Sequence, residues 1–184
     1  MILPEKIVTN RMILEQPVPT FALAEEVYAK VALSIESLHR WLPWAKLDYS
    51  VEEEFAYIYH VQQKWQEKTG FAYLMRNSKT NRFLGIVDLV KIDEKNKIGE
   101  IGYWLSNDAV GNGYMTEAVQ ALEIHCFAAG INRLIIRNDT QNLRSANVAL
   151  RVGYHLDGVM RQDRWDEVMQ KFADTNIWSK LKGE

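Results

Sequence analysis

Apolar positions first gather in the run Ile7–Glu15 (IVTNRMILE), which reads as one strand stopped by Pro17 and Pro19. Thr20 is placed as a helix N-cap. Phe21, Ala24, Tyr28, Val31, Ile35 and Leu38 then recur at helical spacing and predict two short helices. Ser50 is a second N-cap, with Glu52, Glu53 and Glu54 in the positively polarised first turn and Phe55, Ile58 and Trp65 as the inner face. After Gly70 the period shortens. Phe71–Arg76, Arg82–Ile92 and Ile98–Ser106 predict three strands of an antiparallel meander, joined by short polar loops. A helix over Tyr114–Gly130 has Met115, Ala118, Val119, Leu122 and Cys126 as its apolar stripe, and Thr116, Glu117, Gln120 and Glu123 as its wet face. Arg133–Arg137 is a short buried strand, Asn142–Val152 a helix stopped at Gly153, and Tyr154–Arg161 and Lys171–Lys180 two closing strands. The order predicts an α/β fold with a sheet of mixed direction.

Composition narrows the classes open to such a fold. The 184 residues suit one domain, and a hydrophobic fraction of 47% supplies one core. A formal net charge of -2 lacks the basic excess of a general nucleic-acid binder. No stretch is long and apolar enough for a membrane span, and the first eleven residues lack a signal-peptide core. The single cysteine, Cys126, forms neither an internal disulfide nor a cysteine zinc cluster, so a cytoplasmic, metal-free protein is expected.

The strongest chemical signal is the junction from Glu100 to Ala118. A strand passes through Gly111-Asn112-Gly113 into a helix N-terminus, whose free N–H groups and dipole favour an anion. The same glycines would also serve a plain tight turn. A P-loop needs Lys and Ser/Thr after its last glycine, where this chain has Tyr114 and Met115. A dinucleotide fingerprint needs a third glycine where Thr116 stands, and a parallel unit before it. Coenzyme A remains, its pyrophosphate on the loop and its pantetheine arm along the strand.

At these residues the chain resembles the GCN5-related N-acetyltransferases (GNAT), whose acetyl-CoA motif is Gln/Arg-x-x-Gly-x-Gly/Ala. It is most similar to the RimJ/RimL branch, which acetylates the N-termini of ribosomal proteins. The resemblance is carried by Glu100–Leu105 (EIGYWL), Gly111–Ala118 (GNGYMTEA), Gly130–Leu134, Asn142–Ser145, Arg151–Tyr154, Gly158, the tail Asp174–Leu181 and the early Leu38–Trp44 (LHRWLPW). Two positions depart from the motif: Val110 stands for Gln/Arg and Met115 for the final Gly/Ala. The resemblance implies one acetyltransferase domain over residues 1–184, with a mixed, mainly antiparallel central sheet flanked by helices. It implies acetyl-CoA as co-substrate, held by Trp104, Leu105, Val110, Gly111, Asn112, Gly113, Tyr114, Met115, Thr116, Asn142 and Ser145. The acceptor would be a protein N-terminus, with Trp41, Trp44 and Tyr103 beside it.

Amide formation from a thioester needs a neutral amine, a stabilised oxyanion and a proton for the thiolate. An α-amino group, with a pKa of about 7.7–8.0, needs less help than a lysine near 10.4. Glu100, Asp163 and His155 are the candidate bases. The resemblance puts a carboxylate in the segment after Gly158. There Arg164 takes the matching place and Asp163 is its neighbour. The tyrosine acid of many relatives is Ala149 here, which leaves Ser145, three residues after Asn142 and on the same helical face. A small-amine acceptor, such as a polyamine or an antibiotic, is the alternative within this class. A non-catalytic acyl-CoA-binding module is the alternative outside it. Monomer and homodimer both stay open.

Overall fold

The computed structural model describes residues 1–184. Its elements are β1 (Lys6–Val8), β2 (Met12–Glu15), α1 (Phe21–His39), α2 (Val51–Glu67), β3 (Phe71–Asn77), β4 (Phe83–Asp93), β5 (Ile98–Leu105), α3 (Tyr114–Ala128), β6 (Arg133–Asp139), α4 (Leu143–Val152), β7 (His155–Asp166) and β8 (Lys171–Leu181), with one 3₁₀ turn at Asn107–Ala109. One eight-stranded sheet runs in the order β1-β2-β3-β4-β5-β6-β8-β7. Every pairing is antiparallel except β5 with β6. This is the expected mixed α/β sheet. No helix is long and apolar enough to cross a membrane.

Local chemistry explains most boundaries. Thr20 caps α1 by accepting from the Leu23 N–H, and Ser50 with Glu53 forms a reciprocal capping box at α2. Gly130 (φ 99) and Gly153 (φ 89) end α3 and α4 in the left-handed region. Three expectations are corrected. Ile7–Glu15 is a hairpin of two strands, because Thr9-Asn10-Arg11 turns the chain and the Thr9 N–H reaches the Met12 carbonyl. Residues 21–39 form one helix and not two, since no glycine or proline interrupts them. Glu123 is buried, not on a wet face, because Lys180 of β8 reaches it at 2.7 Å.

The helices cover both faces of the sheet, and strand alternation assigns them. Trp104 of β5 packs on Trp44, in the α1–α2 connection, at 6.0 Å between ring centroids. Its neighbour Tyr103, on the opposite face, reaches α4. The core is one cluster running through all layers, with Met12, Leu14, Tyr73, Leu84, Leu89, Leu122 and Leu134 among its least exposed members.

Beneath α2 the core holds an acid. Glu54 is 1% exposed, and the Tyr49 hydroxyl donates to one of its oxygens at 3.1 Å. The other oxygen has no partner. Burial pushes its pKa up from 4.5 to about 7, against the lowering effect of Tyr49. The folded state therefore holds a proton that the unfolded chain releases above pH 4.5. Stability falls as pH rises from there through about 7, by about 3 kcal/mol for this group. Glu54→Gln keeps an acceptor for Tyr49 and removes the titration. The variant is expected to melt above the wild type at pH 8, with the gap closing toward pH 4.5. An equal gap at both pH values in thermal unfolding would refute this.

Candidate active site

The single parallel junction opens the sheet. β5 and β6 pair only where Ile98–Glu100 face Arg133–Ile135. Beyond those pairs β5 continues to Leu105 and β6 to Asp139 without meeting. Each is hydrogen-bonded on its far side, to β4 and to β8. The strands diverge, and their facing edges are left without a partner strand along Ile101–Leu105 and Ile136–Asn138. A free strand edge is a template for another chain of amides. The gap forms a cleft of about 1040 Å³.

The loop that ends β5 closes one mouth of the cleft. After the 3₁₀ turn, Gly111 (φ 86) and Gly113 (φ 74) take left-handed conformations. Gly113 also stands at the N-cap of α3 and offers no side-chain cap, so the first N–H groups of the helix stay free for an anion. Val110, Gly111, Gly113, Tyr114, Met115 and Thr116 all line the cleft. Facing them on α4 are Arg144 and Arg151, seven residues apart and on one helical face. Arg151 donates to the Thr116 hydroxyl at 3.1 Å. The mouth thus combines helix N–H groups with two cations, a donor set suited to a pyrophosphate. The free strand edges behind it suit the amides of a pantetheine arm.

The acetyltransferase (GNAT) domain family matches residues 11–155, from the β1–β2 turn to the start of β7. The chain belongs to this family. The ribosomal-protein-serine acetyltransferase of Escherichia coli (strain K12) is 31% identical over 113 residues, covering 61% of this chain and 62% of that enzyme, less than two thirds of its length. The uncharacterized N-acetyltransferase YoaA of Bacillus subtilis (strain 168) is 26% identical over 175 residues, 95% of each chain. Among solved structures, RimL, a ribosomal L7/L12 alpha-N-protein acetyltransferase in complex with coenzyme A, superposes with a TM-score of 0.86 at 25% identity, over 98% of both chains. The microcin C7 self-immunity acetyltransferase MccE, solved with acetyl-CoA and AMP, also gives 0.86, at 24% identity over 94% of this chain and 93% of that one.

Within this GNAT cleft, most expected site residues come together. Ser145, in the first turn of α4, has its backbone N–H capped by the Asn142 side chain at 3.1 Å. Its hydroxyl lies 3.0 Å from the Tyr103 hydroxyl. Tyr103 thus joins β5 to α4 across the gap. Burial pushes the Tyr103 phenol up to about 12, while the Ser145 bond and the Arg151 charge pull the other way. The phenol therefore keeps its proton at neutral pH. Trp104, Leu105, Asn142, Asp163 and Trp41 line the same cleft.

Four expected residues stand apart. Glu100 lies where β5 is still paired on both sides, short of the divergence. The Asn112 side chain turns back onto the carbonyls of Ala109 and Val110 and does not line the cleft. Trp44 supports Trp104 from behind, packed also on Tyr49. His155 is on the outer edge of β7, bonded to Asp157. Cys126 is buried in α3, and burial, reinforced by the Glu123 charge, pushes its thiol up to about 12.

The far half of the cleft holds ion pairs that the sequence alone does not show, two of them on the named Asp163 and Arg164. Arg137 of β6 meets Asp163 at 2.6 Å, and Arg164 meets Asp139. Arg40 at the end of α1 stacks 4.3 Å over Trp41 and bonds the buried Asp166 at 2.7 Å, tying α1 to the far wall. A signal was available. The apolar strand Arg133–Ile136 ends abruptly in Arg137-Asn138-Asp139, and in open α/β sheets ligands gather at carboxyl ends of strands.

Proposed function

We propose that the whole chain acts as one acetyl-CoA-dependent N-acetyltransferase domain that modifies the N-terminal α-amino group of a protein, a ribosomal protein being the first candidate. One observation carries this reading: the diverging edges of β5 and β6 lead from the uncapped N-terminus of α3 directly to the Tyr103–Ser145 pair. The likeness to RimL and to the ribosomal-protein-serine acetyltransferase supports the choice of acceptor. A cytoplasmic setting goes with that acceptor.

The pyrophosphate of acetyl-CoA sits on Gly111–Thr116 and the arginines of α4, and the pantetheine amides pair with the β5 edge. The thioester then lies between the Trp104–Leu105 backbone and Ser145. The acceptor amine enters from the side of Trp41, Arg137 and Asp163. Its nitrogen attacks the carbonyl carbon, and a backbone N–H near Trp104–Leu105 meets the oxyanion. The C–S bond breaks, and the leaving thiolate takes a proton from Ser145; Tyr103 passes its own proton to Ser145 and regains one from solvent in the cleft, so both hydroxyls end protonated. The proton lost by the amine goes to Asp163 or to solvent. An α-amine near pH 8 is neutral enough for direct attack.

The test is incubation with acetyl-CoA and a panel of peptides with Ser, Ala or blocked N-termini, following free thiol and the mass of the product. Acetylation of the free α-amine is expected, with a rate that climbs as pH rises toward 8. Turnover of spermidine in place of every peptide would redirect the reading to small amines. Tight CoA binding with no acceptor used would leave only a binding module.

A further inference from the structure

The β1–β2 turn lies against the outer side of the loop that opens α3. Glu117, in the first turn of α3, accepts three bonds from it: from the Thr9 hydroxyl at 2.7 Å, the Arg11 backbone N–H at 2.9 Å and Arg11 Nε at 2.7 Å. Arg11 Nη1 donates to the Asn112 carbonyl at 2.9 Å. The same guanidinium lies 4.9 Å from the centroid of the Tyr114 ring. One side chain therefore grips the loop, the first helical turn and the aromatic residue between them.

A carboxylate in the first turn of a helix repels an anion brought to the same N-terminus. Partial burial raises the Glu117 pKa, but the bonds from Thr9 and Arg11 outweigh it and hold the group below the ordinary glutamate value. Glu117 is thus a carboxylate whose charge is cancelled by Arg11 on the side away from the cleft. The peptide between Asn112 and Gly113 matters more. In a trans peptide the carbonyl and the following N–H point in opposite directions, and this chain has no cis peptide. Arg11 holds the Asn112 carbonyl outward, so the Gly113 N–H is aimed inward. In accord with this, Gly113 lines the cleft and Asn112 does not. The glycines at 111 and 113 would otherwise let this plane rotate easily.

We infer that Arg11 is a positioning residue for the cofactor loop: it locks the Asn112–Gly113 peptide so that the N–H faces the pyrophosphate, and it neutralises Glu117. It touches neither the thioester nor the amine. The inference rests on the acetyl-CoA reading above, and its test separates the two. Acetyl-CoA is compared with S-acetylpantetheine, which carries the same thioester without a pyrophosphate, using one acceptor peptide. Arg11→Ala is expected to lower the ratio of kcat/KM for acetyl-CoA to kcat/KM for S-acetylpantetheine about tenfold, through KM for acetyl-CoA. Arg11→Lys keeps a charge but cannot span Glu117 and Asn112 together, so it shifts the ratio in the same direction by less. A ratio equal to the wild type's in both variants overturns the inference. So does an equal loss with both thioesters, which is what a merely structural role gives. If the wild type turns over neither thioester, the acetyl-transfer reading fails. Calorimetry of CoA against pantetheine with the same variants then still decides the role of Arg11.

Discussion

Ser145→Ala is expected to lower kcat about a hundredfold while KM for acetyl-CoA stays within about twofold. The Ser145 hydroxyl is the group on α4 that meets the Tyr103 phenol, and both line the cleft where β5 and β6 have parted. In the proposed mechanism its removal strips the leaving thiolate of its proton donor, and it leaves Tyr103 bonded only to the Ser145 carbonyl, at 3.2 Å. The fold should tolerate the change, because alanine favours a helix and the Asn142 cap is made to a backbone N–H. Tyr103→Phe is the companion variant. If Tyr103 resupplies the proton, it loses kcat as well, and the double variant loses little more than either single one. Steady-state rates of thiol release decide the matter: an unchanged kcat in Ser145→Ala removes the residue from the mechanism.

The largest effect on stability is expected from Gly85→Ala in β4. A methyl group there would stand 2.2 Å from the Trp104 carbonyl oxygen and 2.9 Å from the Leu105 Cα. Both are backbone atoms of β5, so no side chain can swing aside. β5 must retreat from β4, toward the cleft in which the proposed thioester site lies. A loss of about 3 kcal/mol is expected in chemical unfolding, at the upper end for overpacking. The folded fraction should also show a reduced kcat/KM for acetyl-CoA. Unfolding free energy within about 0.5 kcal/mol of the wild type, with normal kinetics, would show that β5 yields without cost.

Much of this was legible in the chain. The meander was marked by period-two runs separated by polar loops, and α3 by a stripe ending in Gly130. The Gly111–Gly113 loop stands out because two glycines lie between a strand and a helix, a pattern that suits an anion and equally a plain tight turn. What stayed hidden depends on distant partners. Glu123 has the spacing of a wet-face residue, and only the arrival of Lys180 makes it a buried one. Arg11 looks like an ordinary strand cation until the hairpin sets it against Glu117. The pairings of Arg137 with Asp163 and of Arg164 with Asp139 are set by which strands become neighbours, and local pattern does not carry that. Glu100 is a candidate in the sequence because it lies on the strand that leads into the glycine loop. Its depth along that strand, before the divergence, is a matter of register.

The strand order also fixes when the cleft can exist during synthesis. β8 follows every other strand in the chain yet lies between β6 and β7, and β7 pairs with nothing else. Until β8 emerges, β7 has no place in the sheet, and the wall bearing Asp163 and Arg164 is missing. A nascent chain can therefore form the Gly111–Gly113 loop and α3 before the wall of the cleft that carries Asp163 and Arg164.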